Sequence, residues 1–126
     1  MRIPLAARYA DYDTKGHVNN AVYLTYFEEA RAAAWVDGCG GSADFPFILA
    51  EATVKYVSEA MIGQALDIEI HTAEIRTKAW VWSYIIRDQS DQRIVAEGRT
   101  VQVMYDYERH VTMPIPEDLR ARLAAL

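Results

Sequence analysis

The sequence predicts an α+β fold in which one long helix packs on a face of a five-stranded antiparallel sheet and a short helix closes the chain. Three observations predict it. Between Ala21 and Asp37 the apolar residues recur at helical spacing: Val22, Tyr26, Ala30 and Ala33 form one stripe, with Tyr23, Phe27 and Ala34 beside it. From Phe47 onward the character is extended, clearest where Leu66, Ile68 and Ile70 alternate with Asp67, Glu69 and His71. The order is then strand, long helix, four strands and a short helix, so one helix stripe and one sheet face must bury each other.

Each element has its own local reason. Residues 2–9 are short and partly apolar and read as a strand ending in a loop rich in Asp, Gly and Asn. Asn19 or Asn20 can cap the long helix through a side-chain oxygen, and Gly38 can supply the left-handed residue that ends it. After a loop over 38–46, Phe47 to Tyr56 is the second strand, and Gly63 marks the break before the third. Residues 79–87 and 94–105 are rich in β-branched and aromatic side chains, with Asp88 to Gln92 as the hairpin turn between them. Pro114 and Pro116 stop the sheet, and Pro116 to Leu123 forms the terminal helix with its acids at the positive end. Trp80, Trp82 and Tyr84 share one side of their strand and must be covered, by the helix or by a partner subunit. A homodimer is the commonest closed solution of the second kind.

Composition narrows the function. The 126 residues suit a single domain, and 52% hydrophobic content is enough for a core. The net charge of -5 with scattered basic residues excludes the basic stripe that nucleic acid requires. Cys39 is the lone cysteine, flanked by Gly38, Gly40 and Gly41, and reads as a bystander thiol. His17, His71 and His110 lack metal-ligand spacing, so neither a metal nor another cofactor is expected. No Gly-x-Ser-x-Gly elbow, Walker loop or dinucleotide fingerprint is present. With no signal-peptide-like run at the N-terminus and no membrane-spanning stretch, a soluble cytoplasmic protein is expected.

Chemistry concentrates in Asp11-Tyr-Asp13-Thr-Lys-Gly16-His17-Val-Asn19-Asn20, which leads into the helix. A carboxylate there can act as a general base on water or attack a carbonyl itself. Unpaired backbone N–H groups at the helix start, around Val18 to Asn20, can stabilise a developing oxyanion. On the residues alone, the same Asp and Asn side chains serve equally well as turn formers and caps.

The run Asp11-x-Asp13-x-x-Gly16-His17-Val18-Asn19-Asn20-x-x-Tyr23-x-x-Tyr26-x-Glu28-x-x-Arg31 resembles the signature of the hotdog-fold acyl-CoA thioesterases, in the 4-hydroxybenzoyl-CoA thioesterase-like branch. Val54-Lys-Tyr56, Gly63-Gln-Ala-Leu-Asp67 and Ala96-Glu-Gly98-Arg-Thr resemble later strands of that branch, so the similarity covers most of the chain. The resemblance implies a hotdog fold, an acyl-CoA substrate, no cofactor, and a homodimer or homotetramer. It implies that Asp13 is the catalytic acid, as nucleophile or as base on water, with Asp11 buttressing the loop or taking part directly. Gly16 would let the thioester approach the backbone, and His17 would orient the thioester, assist proton transfer or serve only as a structural residue. Asn19 and Asn20 would bind substrate, with the N–H near Asn20 as oxyanion donor. Tyr23, with Tyr26 and Phe27, would line an acyl channel or belong to the core, and Tyr56 lies in the segment that approaches the partner's active site. Lys55, Arg76, Lys78 and Arg87 are candidates for the CoA phosphates by charge alone.

Two rival readings remain. Hotdog hydratases of the R-specific type place their aspartate five residues before the histidine, with Asn-Pro between; here Asp13 and His17 are four apart across Thr-Lys-Gly. A non-catalytic acyl-thioester binding protein would keep the fold, but Asp13 and Gly16 are both intact.

Overall fold

The computed structural model describes residues 1–126. Its strands are β1 (Arg2–Leu5), β2 (Phe47–Tyr56), β3 (Leu66–Ile75), β4 (Ala79–Asp88), β5 (Ile94–Asp106) and β6 (Val111–Thr112), with helices α1 (Val22–Ala33) and α2 (Glu117–Ala124). All pairings are antiparallel, in the order β1-β3-β4-β5-β2, and β6 adds a short sixth strand against the end of β5. The mixed α/β character and the antiparallel sheet are as the periodicity predicts. The sixth strand is new, since two residues carry no alternation to read.

Both helices lie on one side of the sheet. The inward side chains of the central strand β4 are Trp80, Trp82, Tyr84 and Ile86, all fully buried. α1 meets them through Phe27, whose ring stacks on Tyr84 with centroids 4.4 Å apart, and Trp35 just beyond α1 stacks on Trp80. Opposite Tyr84 in the ladder is Gly98. A Cβ there would stand 2.2 Å from the Phe27 ring, so the missing side chain is what admits the helix. α2 adds Leu119 and Leu123 to the same core. Trp80, Trp82 and Tyr84 are therefore covered within the chain, and the need for a partner to cover them falls away.

Several boundaries differ from expectation. The first strand ends at Leu5, and residues 9–11 form a 3-10 turn that places Asp11 inward. α1 proper ends at Ala33 and continues as a wider π turn over Ala34–Gly38, closed by the Cys39 N–H donating to the Ala34 carbonyl. Gly38 is not left-handed. The positive φ of 65° belongs to Gly40, and a Cβ on Gly38 would meet only the end of the Leu126 side chain, at 2.7 Å. Asn19 does help start the helix: its Oδ1 accepts the Ala21 N–H at 3.0 Å and its carbonyl accepts the Val22 N–H. Asn20 makes no cap.

Candidate active site

The loop from Asp11 to Asn20 is anchored at its root by Asp11. That carboxylate is buried and accepts the Arg8 backbone N–H at 2.8 Å, the Arg8 guanidinium at 2.8 and 3.1 Å, and the Tyr26 hydroxyl at 3.1 Å. Burial pushes the Asp11 carboxyl up, but the Arg8 and Tyr26 donors outweigh it and hold it below the ordinary range. The Asp11 backbone carbonyl also accepts the Asn19 N–H. With these partners Asp11 buttresses the loop.

Asp13 is held differently. It stands exposed, and its Oδ1 accepts the backbone N–H groups of His17 at 3.1 Å and Lys15 at 2.8 Å, while Oδ2 has no partner. Those two donors, His17 first, keep the Asp13 carboxyl below its ordinary value, so it is an anion at neutral pH. Gly16 sits in the middle of this turn with φ +75°. A Cβ there would find only Ile62, at 3.7 Å, so the glycine answers to backbone conformation rather than to space.

The loop is pinned across the chain to the segment after β2. The Val18 N–H donates to the Ala60 carbonyl and the Ile62 N–H to the Gly16 carbonyl, both at 2.8 Å. His17 Nε2 lies 3.4 Å from Glu59 Oε2. Between the two segments opens a pocket of about 380 Å³. Of the seven residues singled out in the sequence, Asp13, His17, Asn19, Asn20, Tyr23 and Tyr56 line it, and Gly16 does not. Val57, Ser58, Glu59 and Ala60 complete the wall and carry no sequence signal of their own. They reach the site only because the Val18–Ala60 pairing brings two distant stretches together.

The helix-start amides are fewer than spacing alone suggests. The Val18 and Asn19 N–H groups are spent on Ala60 and Asp11, which corrects the expectation that all three point to substrate. The Asn20 N–H alone has no partner in the chain. Tyr56 reaches the site of its own chain: its hydroxyl donates to the Asn20 carbonyl at 2.7 Å, and its ring meets Tyr23 edge-on at 5.5 Å. Of the three aromatics at helical spacing, Tyr26 and Phe27 are core and Tyr23 opens on the pocket. Arg93, which sequence reasoning passed over, braces the far wall. Its guanidinium donates to the Ser58 hydroxyl and to the Glu59 carbonyl at 2.9 Å, and lies 3.6 Å from the buried Asp88. No group of three or more His, Cys, Asp or Glu side chains is arranged to hold a metal ion.

An anionic carboxylate with one free oxygen, a histidine and an unpaired helix-start N–H around one pocket can attack, or direct water onto, a carbonyl carbon and bind the resulting oxyanion. Comparison with known proteins agrees in kind. The model of the thioesterase-like superfamily matches residues 7–123. The long-chain acyl-CoA thioesterase FadM of Escherichia coli K12 is 26% identical, over 98% of this chain and 96% of its own. A thioesterase from Thermus thermophilus, solved with coenzyme A and Zn, superposes with a TM-score of 0.87 at 26% identity, covering 98% of this chain and 91% of that one. A 1,4-dihydroxy-2-naphthoyl-CoA thioesterase from Synechocystis gives 0.86 at 19% identity, over 99% and 96%, a likeness of fold.

Proposed function

The chain belongs to the thioesterase-like superfamily, and from that premise we propose that this thioester hydrolase acts on acyl-CoA through Asp13, within a hotdog arrangement of a long helix wrapped by an antiparallel sheet. The FadM relative and the CoA-bound neighbour support the acyl-CoA substrate. The observation that carries the mechanism is Asp13 itself: Oδ1 is fixed by two backbone donors, and Oδ2 is free beside a pocket that the unpaired Asn20 N–H shares.

Asp13 Oδ2 adds to the thioester carbonyl, or takes a proton from a water that does so. Negative charge moves to the carbonyl oxygen, where the Asn20 N–H, at the positive end of α1, stabilises it. The C–S bond then breaks and CoA leaves as thiolate. It takes up the proton that Asp13 removed from water, or in the anhydride route the proton released by the second-step water, with His17 placed to relay it. If the carboxylate attacked directly, water hydrolyses the acyl anhydride in a second step. Asn19 holds the helix start that presents the Asn20 N–H, and Tyr23 and Tyr56 wall the acyl side.

The test is release of free CoA from acyl-CoAs ranging from short aliphatic to aromatic, by wild type and Asp13→Asn. No release from any of them ends the hydrolase reading, whereas activity that survives the substitution ends only the role of Asp13. Mass spectrometry of acid-quenched single turnovers separates the two routes, since direct attack leaves an acylated Asp13.

The same reading includes a homodimer or homotetramer. β2 is a ten-residue edge strand, with Leu49, Tyr56, Val57 and, on α1, Leu24 exposed. Sedimentation equilibrium decides it, a monomer at micromolar concentration being the contrary result. No helix is long and apolar enough to cross a membrane.

A further inference from the structure

Each peptide group at the start of α1 carries a donor and an acceptor that folding must place. The peptide joining Asn19 to Asn20 has its carbonyl bound by the Val22 N–H at 3.0 Å, while its own N–H, that of Asn20, has no partner in the chain. In the next peptide the Ala21 N–H donates to Asn19 Oδ1 at 3.0 Å, which leaves the Asn20 carbonyl to be satisfied. No backbone N–H reaches that carbonyl. The Leu24 N–H, which a regular α-helix would send to it, donates instead to the Ala21 carbonyl at 3.3 Å. The Tyr56 hydroxyl takes its place, donating at 2.7 Å from 36 residues away. Tyr56 is the last residue of β2, paired with Ala96 of β5, and its ring meets the buried Tyr23 ring edge-on at 5.5 Å. The donor is therefore held by the sheet on one side and by α1 on the other.

We propose that Tyr56 is a positioning residue for the oxyanion site: its hydroxyl locks the Asn20–Ala21 peptide, and with it the backbone that carries the Asn20 N–H beside Asp13. The proposal rests on the hydrolase reading above. With Val22, Asn19 and Tyr56 each holding one group, the peptides before and after Asn20 are both anchored, and the Asn20 N–H is the donor left unspent in a residue that lines the pocket. The Tyr56 proton is committed to a carbonyl, so Tyr56 acts through Asn20 rather than on the substrate. A donor fixed before charge develops stabilises the transition state without a reorganisation cost, and it adds little to binding of the uncharged thioester. Loss of the Tyr56 hydroxyl frees the Asn20 carbonyl end of the clamp, and the cost falls on the chemical step.

The experiment compares wild type with Tyr56→Phe, which keeps the ring against Tyr23 and removes only the hydroxyl. On an acyl-CoA that the wild type hydrolyses, kcat is expected to fall about tenfold or more while KM changes by less than about twofold. Two analogues that cannot be hydrolysed separate positioning from folding. A dethia-CoA ketone, with CH2 in place of sulfur and a fluorinated acyl group, holds an oxyanion once Asp13 or water adds to it, and its affinity is expected to fall by the same factor as kcat. An alkyl-CoA thioether, which has no carbonyl, is expected to bind both proteins alike. Both readings are affinities, so their ratio reports on folded protein and a loss of stability does not move it. The proposal is overturned if Tyr56→Phe keeps the wild-type kcat, or if it binds the ketone as tightly as wild type does. It is equally overturned if ketone and thioether weaken together, which would reduce Tyr56 to a wall of the pocket. Release of CoA from no acyl-CoA by the wild type removes the hydrolase reading and this proposal with it, whereas a fully active Tyr56→Phe removes this proposal alone.

Discussion

Asp13 and His17 hold each other through the backbone: the Asp13 N–H donates to the His17 carbonyl at 2.7 Å, and the His17 N–H donates to Asp13 Oδ1 at 3.1 Å. This reciprocal pair closes the turn and leaves Asp13 Oδ2 without a partner. Asp13→Asn keeps an Oδ1 acceptor for both amides, so stability measured by denaturant unfolding is expected to change by less than about 1 kcal/mol. The kcat for CoA release should fall by about 10²- to 10⁴-fold, as loss of a base or nucleophile requires. An equally active Asp13→Asn enzyme would remove Asp13 from the chemistry.

The lowered Asp13 value fixes the sign of one pH effect. A depressed carboxyl is anionic at every pH above its own folded value, so Asp13 contributes no acidic limb to kcat/KM above about pH 4. In His17→Gln, where the histidine cannot titrate, the profile is expected to be flat from pH 7 to 5. A limb near pH 6 in that variant would mean that Asp13 titrates far higher than its hydrogen bonds allow.

Asp11 and Tyr26 make the structural counterpart of that pair. Asp11→Asn is expected to destabilise the fold by about 1–3 kcal/mol, because the buried Tyr26 hydroxyl and the Arg8 groups at the surface lose a charged acceptor. The Asp11 carboxyl is lowered on folding, so its contribution is present above the unfolded value of about 3.9 and is lost as pH falls through the folded value. The gap in melting temperature between wild type and Asp11→Asn should therefore be full at pH 6 and shrink toward pH 3. A gap independent of pH would show that the carboxylate charge plays no part.

Arg93 joins the β4–β5 turn to the pocket wall, and its guanidinium fork serves Ser58, Glu59 and Asp88 at once. Arg93→Lys cannot reproduce that fork. It is expected to cost about 1–3 kcal/mol in urea unfolding and to raise KM, as the wall carrying Glu59 and Ala60 loses its brace. Unchanged stability and KM would reduce Arg93 to a surface cation.

Two glycines separate conformation from space. Gly16→Ala places a Cβ in open room but at φ +75°, and should cost about 1–2 kcal/mol. Gly98→Ala leaves φ unstrained but drives a Cβ into the Phe27 ring, so α1 must lift from Tyr84. Overpacking of this kind costs about 1–3 kcal/mol or more. Circular dichroism melts should rank Gly98→Ala as the more damaging, and the reverse order would mean that α1 shifts freely on the sheet.

What the chain alone determined was whatever depends on local periodicity and short spacing. The helical stripe from Val22, the alternation at Leu66 to His71 and the β-rich runs on either side of Asp88 each declare themselves within ten or so residues, and they appear as α1, β3, β4 and β5. Asp13, Gly16 and His17 were legible for the same reason, being parts of one turn, although turn chemistry alone did not distinguish attacking carboxylate from cap. Tertiary structure decided everything that depends on which distant segments meet. It assigned Asp11 to Arg8 and Tyr26, and consumed the Val18 and Asn19 amides while sparing that of Asn20. It brought Ser58 and Glu59 to the wall and Arg93 behind them as a brace. A hydrogen-bond donor has no fixed role in sequence, because its role is set by the acceptor that folding places beside it.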